Sequence, residues 1–261
     1  MGMISDFYII IIFLRDYFKN GFMTTTNKLL VALCASNSFF ALVSATNLTI
    51  SSLWPHIYTD YYVIFILINM FSKTSSAWIT ASLCVFYFIK IINFSSGPLA
   101  WIKMKINILV PWLIFFSEVL ALTCSSLSTL PSVIKEVPLL HSSNSTSGTK
   151  LTRFISISFI AFFLPFIAML LTTFITAVSL YLHIRRMEKN MAASNGLLSH
   201  QRVVWGMVRL LLSDAVILVA LFFYICHFLA PQSYGFWVVM MILCSFPLLQ
   251  SALLILVKPS N

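Results

Sequence analysis

The sequence predicts an all-α membrane protein, a seven-transmembrane helix bundle whose first helix is truncated at its N-terminal half. The composition is the first observation behind this prediction: 60% of the 261 residues are hydrophobic, 9% are charged, and the mean hydropathy is +0.96. A soluble domain carries roughly a quarter charged residues, so lipid must be the solvent for most of this surface. The second observation is the regular alternation of long apolar runs with short polar or basic segments.

Seven apolar runs define the predicted helices of a single transmembrane domain spanning residues 1–261. The first run is too short to cross a bilayer, because about 20 residues are needed, and we expect it to be the inner half of a helix. Pro and Gly mark several of the turns between runs, and residues 131–153 form the longest polar loop. A shorter loop is predicted at residues 192–199, with Gly196 in a turn. The predicted helices cover residues 3–14, 28–53, 61–90, 106–130, 154–184, 202–229 and 234–257.

The distribution of cations predicts the orientation in the membrane. Eleven Lys and Arg residues lie near one set of helix ends, whereas only Lys135, Lys150 and Arg153 lie in the opposite loops. The positive-inside rule assigns the richer set to the cytoplasm. The long polar loop is then extracellular, and it contains the N-glycosylation sequon Asn144-Ser145-Thr146. We therefore expect a multi-pass protein of the plasma membrane with an extracellular N-terminus and a glycan on Asn144.

The third predicted helix carries a basic residue at its inner end and another far inside its apolar run. Tyr87 and Lys90 close the inner end, as an aromatic ring at headgroup depth followed by a cation in water. Lys73 lies 17 residues earlier, which is roughly 25 Å along a helix. At that depth a cation is costly and needs a partner or a water-filled cavity.

Two carboxylates lie at comparable depth. Glu118 is roughly 20 Å beyond Lys105 on the fourth predicted helix, and Asp214 is roughly 18 Å beyond Arg202 on the sixth. Three interpretations remain open: a self-neutralising Lys–carboxylate pair, a ligand cavity, or an ion path. Glu118 is the expected partner of Lys73, because consecutive helices are usually neighbours.

The motifs expected of an enzyme or a nucleic-acid-binding protein are missing from the sequence. It has no HExxH, no Ser-His-Asp set in a supporting context, no paired carboxylates on one helix face and no Gly-rich phosphate loop. The five Cys residues fall inside apolar segments without a disulfide framework or a metal spacing. No Lys/Arg stripe with interleaved aromatics indicates nucleic acid. We expect a protein that is not an enzyme and needs no cofactor or metal.

Three stretches, in the expected order, resemble the type 2 (bitter) taste receptor family. Residues 86–95 (FYFIKIINFS) look like that family's signature at the inner end of the third helix. Leu164-Pro165-Phe166 and the residues that follow it to His200 are similar to the fifth helix and the third cytoplasmic loop. Residues 250–256 with Pro259 resemble the His-Ser-x-x-Leu-Ile-Leu end of the seventh helix. Together the resemblance covers nearly the whole chain.

This resemblance implies a G-protein-coupled receptor for small bitter compounds, with a ligand cavity in the outer half of the bundle. A heterotrimeric G protein and the lipid bilayer are the other expected partners. The residues at membrane depth and the matched positions together predict ligand contacts at Asn69, Met70, Lys73, Thr74, Glu118, Asp214 and Met240. Contacts that couple the receptor to the G protein are predicted at Tyr87, Lys90, His183, Met187 and His200.

Several positions depart from the pattern of the family that the chain resembles. Lys73 falls where many members have Asn, and Asn69 falls where many have Trp. Asp214 falls near a usual Tyr, and Gln250 replaces His. These departures affect the expected ligand rather than the expected fold.

Two other functions remain possible from the sequence. The first is a receptor similar to the type 1 vomeronasal chemoreceptors. The second is a small membrane transporter or channel, in which Lys73, Glu118 and Asp214 would line a pathway. Internal repeats would favour a transporter, and the sequence contains no recurring period of that kind.

Overall fold

The computed structural model describes residues 2–21, 23–92, 98–133, 146–188 and 195–225, together with 234–235, 238–239, 241–243, 245 and 249–250. All regular structure in these residues is helical, and they contain no strand. The helices with defined bounds are α1 Gly2–Asn20, α2 Thr25–Leu53, α3 Pro55–Asp60, α4 Tyr62–Ile91, α5 Pro98–Met104, α6 Ile106–Val133, α7 Thr146–Glu188 and α8 Asn195–Ile225. The described residues between 234 and 250 are also helical.

Five helical segments in the described ranges are long and apolar enough to cross a membrane. They establish a helical membrane protein, and the count of seven spans stays a prediction. The five segments are Thr25–Leu53, Tyr62–Ile91, Ile106–Thr129, Ser156–Leu182 and Val203–Phe223.

The first helix is longer than predicted. It continues past residue 14 to Asn20, because the end of an apolar run marks where water begins and not where backbone hydrogen bonds end. Gly21 terminates it, with a φ of 73° and a backbone N–H that donates to the carbonyl of Tyr17 at 2.8 Å. A glycine in the left-handed region is a common way to close a helix.

The two predicted loops are shorter than the sequence indicated. Helix α6 runs through Pro131 to Val133, and α7 begins at Thr146, well before residue 154. Helix α8 begins at Asn195, so Gly196 lies in a helix rather than in a turn. Polar composition reports contact with water, and a helix can extend beyond the bilayer into water without changing its backbone. Thr and Asn are also favoured at helix N-termini.

Helix α4 is the centre of the bundle. It packs against α2, α6, α7 and α8, whereas α1 packs against α2. The main apolar core lies around the C-terminal half of α4 and includes Leu83 and Phe86. A second apolar cluster, formed by Phe162, Ala220, Leu221 and Leu243, connects α7 and α8 with the 234–250 segment.

Large apolar side chains also cover the outside of the bundle. On α6, Trp112, Phe115 and Phe116 are each more than half exposed and contact one another edge-on or tilted. Such a surface is costly in water and is favourable against lipid tails. The exposed and buried faces of the helices therefore agree with a bundle embedded in a bilayer.

Candidate functional site

A cleft lies between α2, α4, α7, α8 and the segment that contains Leu243. It contains about 530 Å³ of empty space, a volume that includes the open solvent at its mouth. Its walls are apolar or aromatic except for one Lys and one Asp. The lining residues are Phe40, Lys73, Ala77, Phe162, Pro165, Phe166, Met169, Asp214, Ile217, Leu218, Leu221 and Leu243.

Two helices each present one continuous face to this cleft. The lining residues of both follow the spacing i, i+3, i+4, i+7, which places them on a single stripe of an α-helix. The stripes are Phe162, Pro165, Phe166 and Met169 on α7, and Asp214, Ile217, Leu218 and Leu221 on α8. Pro165 lies inside α7, where its missing N–H removes one backbone hydrogen bond at the cleft wall.

The two charged residues of the cleft were both predicted from their depth in the membrane. Lys73 Nζ lies 5.7 Å from the centre of the Phe40 ring, within the range of a cation–π interaction. Asp214 is only 9% exposed, and its Oδ2 has no hydrogen-bond partner in the part of the chain that the structure describes. The cleft therefore combines an apolar interior with one donor group and one acceptor group.

Glu118, the expected partner of Lys73, is bound elsewhere. Ser75 Oγ donates a hydrogen bond to Glu118 Oε1 at 2.8 Å, and Ser36 Oγ lies 2.9 Å from Ser75 Oγ. Because Ser75 has one proton and gives it to the carboxylate, Ser36 must donate to Ser75. Lys73 and Ser75 lie about 200° apart around α4. The contact to Ser75 places Glu118 beside another face of α4 and gives the predicted Lys73–Glu118 pairing no support, so that pairing stays a prediction.

A second polar network connects α2, α4 and the 234–250 segment. Ser76 Oγ donates to Asn37 Oδ1 at 2.6 Å and lies 3.2 Å from Gln250 Oε1. Gln250 Nε2 donates to Thr80 Oγ1 at 2.7 Å, and all four side chains are buried. Buried polar side chains of this kind join membrane helices by hydrogen bonds across the interface. Gln250 consequently ties its segment to α4.

Three of the remaining predicted ligand contacts lie on α4 and are not among the described residues that line the cleft. Met70 packs against the second apolar cluster, and Thr74 is buried with its hydroxyl donating to the carbonyl of Met70 at 2.7 Å. Asn69 is partly buried, and its Oδ1 has no hydrogen-bond partner among the described residues. Met240 lies outside the described residues. Of the predicted ligand contacts, the structure brings together Lys73 and Asp214 in the cleft.

The predicted coupling residues lie on α4, α7 and α8. Tyr87 is buried near the C-terminal end of α4, and Lys90 is exposed with its Nζ 5.8 Å from the centre of the Phe86 ring. His183 and Met187 lie in the last turns of α7. His200 lies inside α8, which begins seven residues earlier than the predicted start at residue 202. The sequon residue Asn144 lies outside the described residues.

The apolar walls of the cleft were missed by the sequence analysis. Every one of these side chains lies in a helix that is apolar on most faces, so hydrophobicity alone does not single them out. The sequence does contain a signal for part of the wall, because Ile217, Leu218 and Leu221 follow Asp214 at the spacing of one helix face. The same spacing around Pro165 includes Phe162, Phe166 and Met169.

Comparison with known proteins decides the family. A sequence profile described as "Taste receptor protein (TAS2R)" matches residues 1–260. The chain belongs to this taste receptor family. This match confirms the resemblance to bitter taste receptors that three stretches of the sequence indicated. The alternative of a receptor similar to the vomeronasal chemoreceptors is not needed to explain these stretches.

Individual taste receptors match most of the chain. It is 28% identical to taste receptor type 2 member 39 of Homo sapiens over 99% of its own length and 80% of the relative's length. The protein of the same name from Pan troglodytes is 29% identical over 87% and 70% of the two lengths. Taste receptor type 2 member 114 of Mus musculus is 26% identical over 73% and 63%. All three relatives carry the names of receptors and not of enzymes.

Proposed function

We propose that this chain is a G-protein-coupled bitter taste receptor whose small organic ligands bind in the cleft that contains Lys73 and Asp214. Membership of the taste receptor family supports the receptor class. The single observation that carries the location is the cleft itself, in which apolar walls surround one cation and one carboxylate. Small-molecule sites have this composition, with polar groups fixing orientation in a mostly apolar pocket.

Activation follows from the elements that form the cleft. Helices α4, α7 and α8 each contribute residues to the lining of the cleft. The same three helices carry the predicted coupling residues: Tyr87 and Lys90 lie on α4, His183 and Met187 on α7, and His200 on α8. A ligand that binds one arrangement of these helices better than another shifts the population toward that arrangement. The heterotrimeric G protein then binds at their cytoplasmic ends.

The proposed orientation places the N-terminus outside the plasma membrane. Its support is the excess of Lys and Arg near one set of helix ends. In the same orientation the sequon at Asn144 is extracellular, where a glycan can be attached.

A transporter would use the intramembrane charges differently. A pathway through Lys73, Glu118 and Asp214 requires all three to line one space, whereas Glu118 is bound to Ser75 and is not among the described residues that line the cleft. The receptor function therefore has the better physical support.

The direct test is a calcium assay in cells that express the receptor with a promiscuous G protein. A panel of bitter compounds should evoke calcium release that vector-transfected cells lack. The matching transport experiment measures uptake of the same compounds into proteoliposomes without G protein. Uptake without any calcium response would contradict the proposal and favour a transporter.

A further inference from the structure

Asp214 offers an unused acceptor inside the cleft. The residue is more than nine-tenths buried, it lines the cleft, and its Oδ2 has no hydrogen-bond partner among the residues that the structure describes. Buried polar atoms are nearly always paired, because an unpaired one has lost its water without compensation. An ionised carboxylate only accepts hydrogen bonds. A cationic partner favours the ionised form of this carboxylate and would donate a hydrogen bond to its Oδ2.

The surroundings of Asp214 favour a cationic donor over a neutral one. The carboxylate stands on α8 beside Leu218, and Phe162 and Phe166 face the same cleft from α7. A charge-assisted hydrogen bond from an ammonium group is stronger than one from a neutral donor, most of all where water is excluded. Aromatic faces also attract an ammonium group, and they provide the apolar contact that an organic amine needs.

Lys73 determines the other end of the ligand. It lines the same cleft on α4, with its Nζ near the Phe40 ring. An ammonium group beside Lys73 would be repelled, so the amine must lie toward Asp214 and a hydrogen-bond acceptor toward Lys73. The lysine and the carboxylate together carry no net charge, and the cleft does not require a ligand with a large net charge.

We propose that the cleft selects amphipathic agonists that carry a protonated amine, which donates to Asp214 Oδ2 while the apolar body of the ligand lies against the aromatic walls. This assignment rests on the proposed receptor function and names its ligand class. Acceptor groups on the same ligand face Lys73.

The test compares amines with amides of the same skeleton, such as 1-benzylpiperidine and 1-benzoylpiperidine, in a set of such pairs. The benzyl amine is protonated at neutral pH and donates, whereas the amide is neutral and has no donor. Two measurements are made on each pair: calcium release in cells, and the ligand-induced rise in the thermal unfolding midpoint of the purified receptor. The variants are Asp214→Asn, which keeps the size and removes the charge, and Asp214→Leu. The adjacent Ser213→Ala is the control.

The wild type should prefer the amine of each pair by about tenfold or more, the range of a charge-assisted hydrogen bond. Asp214→Asn and Asp214→Leu should lose tenfold to a hundredfold in amine potency, roughly that same range. Amide responses should stay within about threefold of wild type in every variant. Ser213→Ala should preserve the amine preference.

Two outcomes overturn the assignment. One is a wild type that responds to bitter compounds without preferring amines. The other is an equal loss of amine and amide responses in Asp214→Asn, which means that Asp214 supports the bundle and does not touch the ligand. Amine-dependent stabilisation of the purified receptor without any calcium release would instead support the amine site and contradict the receptor function.

Discussion

Ser75 Oγ donates a hydrogen bond of 2.8 Å to Glu118 Oε1, and this contact divides the charged residues of the bundle into two groups. Lys73 and Asp214 line the cleft, where a ligand can reach them. Glu118 belongs to a chain of hydrogen bonds through the hydroxyls of Ser75 and Ser36, which joins α6 to α4 and α2. The α4 residues of the two groups, Lys73 and Ser75, lie on different faces of that helix. Mutations in one group should therefore not change the effects of mutations in the other.

Replacing Lys73 should change which compounds activate the receptor. Lys73→Met removes the only cationic donor among the described lining residues of the cleft, while the apolar stem is preserved. We expect a loss of roughly tenfold to a hundredfold in potency for acidic or carbonyl-rich agonists, the value of a charge-assisted hydrogen bond. Agonists without acceptors should be nearly unaffected. Dose–response curves, normalised to surface expression, provide the measurement.

Lys73→Arg is the matched control, because it keeps the charge and should retain much of the response to acceptor-bearing agonists. A Lys73→Met receptor with wild-type expression and an unchanged agonist profile would remove Lys73 from the ligand site.

Glu118 should be energetically coupled to Ser75 and not to Lys73. Ser75→Ala removes the hydrogen bond to Glu118 Oε1 and should cost about 1.5–3 kcal/mol of stability. In the Ser75→Ala/Glu118→Leu double variant the cost should be smaller than the sum of the single costs, because no orphaned carboxylate remains. Thermal unfolding of the purified receptor in detergent measures these differences. The cycle of Lys73→Met with Glu118→Leu should give additive effects, and strong coupling in that cycle would support the Lys73–Glu118 pairing instead.

Lys90 should affect signalling more than ligand binding. It is exposed at the inner end of α4, in the stretch that resembles the family signature. Lys90→Ala should lower the maximal calcium response, while agonist binding to membranes and surface expression persist. Lys28→Ala, at an exposed cation near the inner end of α2, is the control and should signal normally. An equal loss of binding and signalling in Lys90→Ala would indicate that the residue only supports the fold.

Asn144 should carry a glycan when the chain passes through the endoplasmic reticulum. Glycosidase treatment should increase the gel mobility of the wild type and leave Asn144→Gln unchanged. This result follows from the orientation that the Lys and Arg distribution predicts. A wild-type chain that never shifts would count against glycan attachment and would weaken the predicted orientation.

The depth of a residue along its helix could be predicted from the sequence. The direction in which its side chain points around the helix axis could not. Counting residues from the basic helix ends placed Lys73, Glu118 and Asp214 inside the membrane, and two of the three line one cleft. The partner of Glu118 was missed because pairing depends on which faces of two helices meet. In a chain this apolar, the usual contrast between polar and apolar faces that reveals orientation is weak.

Helix ends were also harder to predict than helices. The apolar runs agree with the candidate membrane-crossing parts of α2, α4, α6, α7 and α8. Helices α7 and α8 nevertheless begin earlier, in polar sequence at Thr146 and Asn195. Hydropathy detects the change of solvent, and a helix that leaves the bilayer keeps its backbone hydrogen bonds without any change in periodicity. One consequence is that His200, a predicted coupling residue, lies on the same helix as Asp214.

The most direct test of the proposed ligand site compares a bulky substitution at two adjacent positions on α8. One substitution fills the cleft, and the other lies on the outside of the helix. Leu218 lines the cleft, and the adjacent Val219 is 53% exposed on the outside of α8. With both variants at comparable surface levels, Leu218→Trp should raise the half-maximal agonist concentration by about tenfold or more, or abolish the response, because the larger side chain occupies space that the ligand needs. Tenfold corresponds to about 1.4 kcal/mol of binding free energy. Val219→Trp should respond like the wild type. Equal responses from the two variants would contradict ligand binding in this cleft.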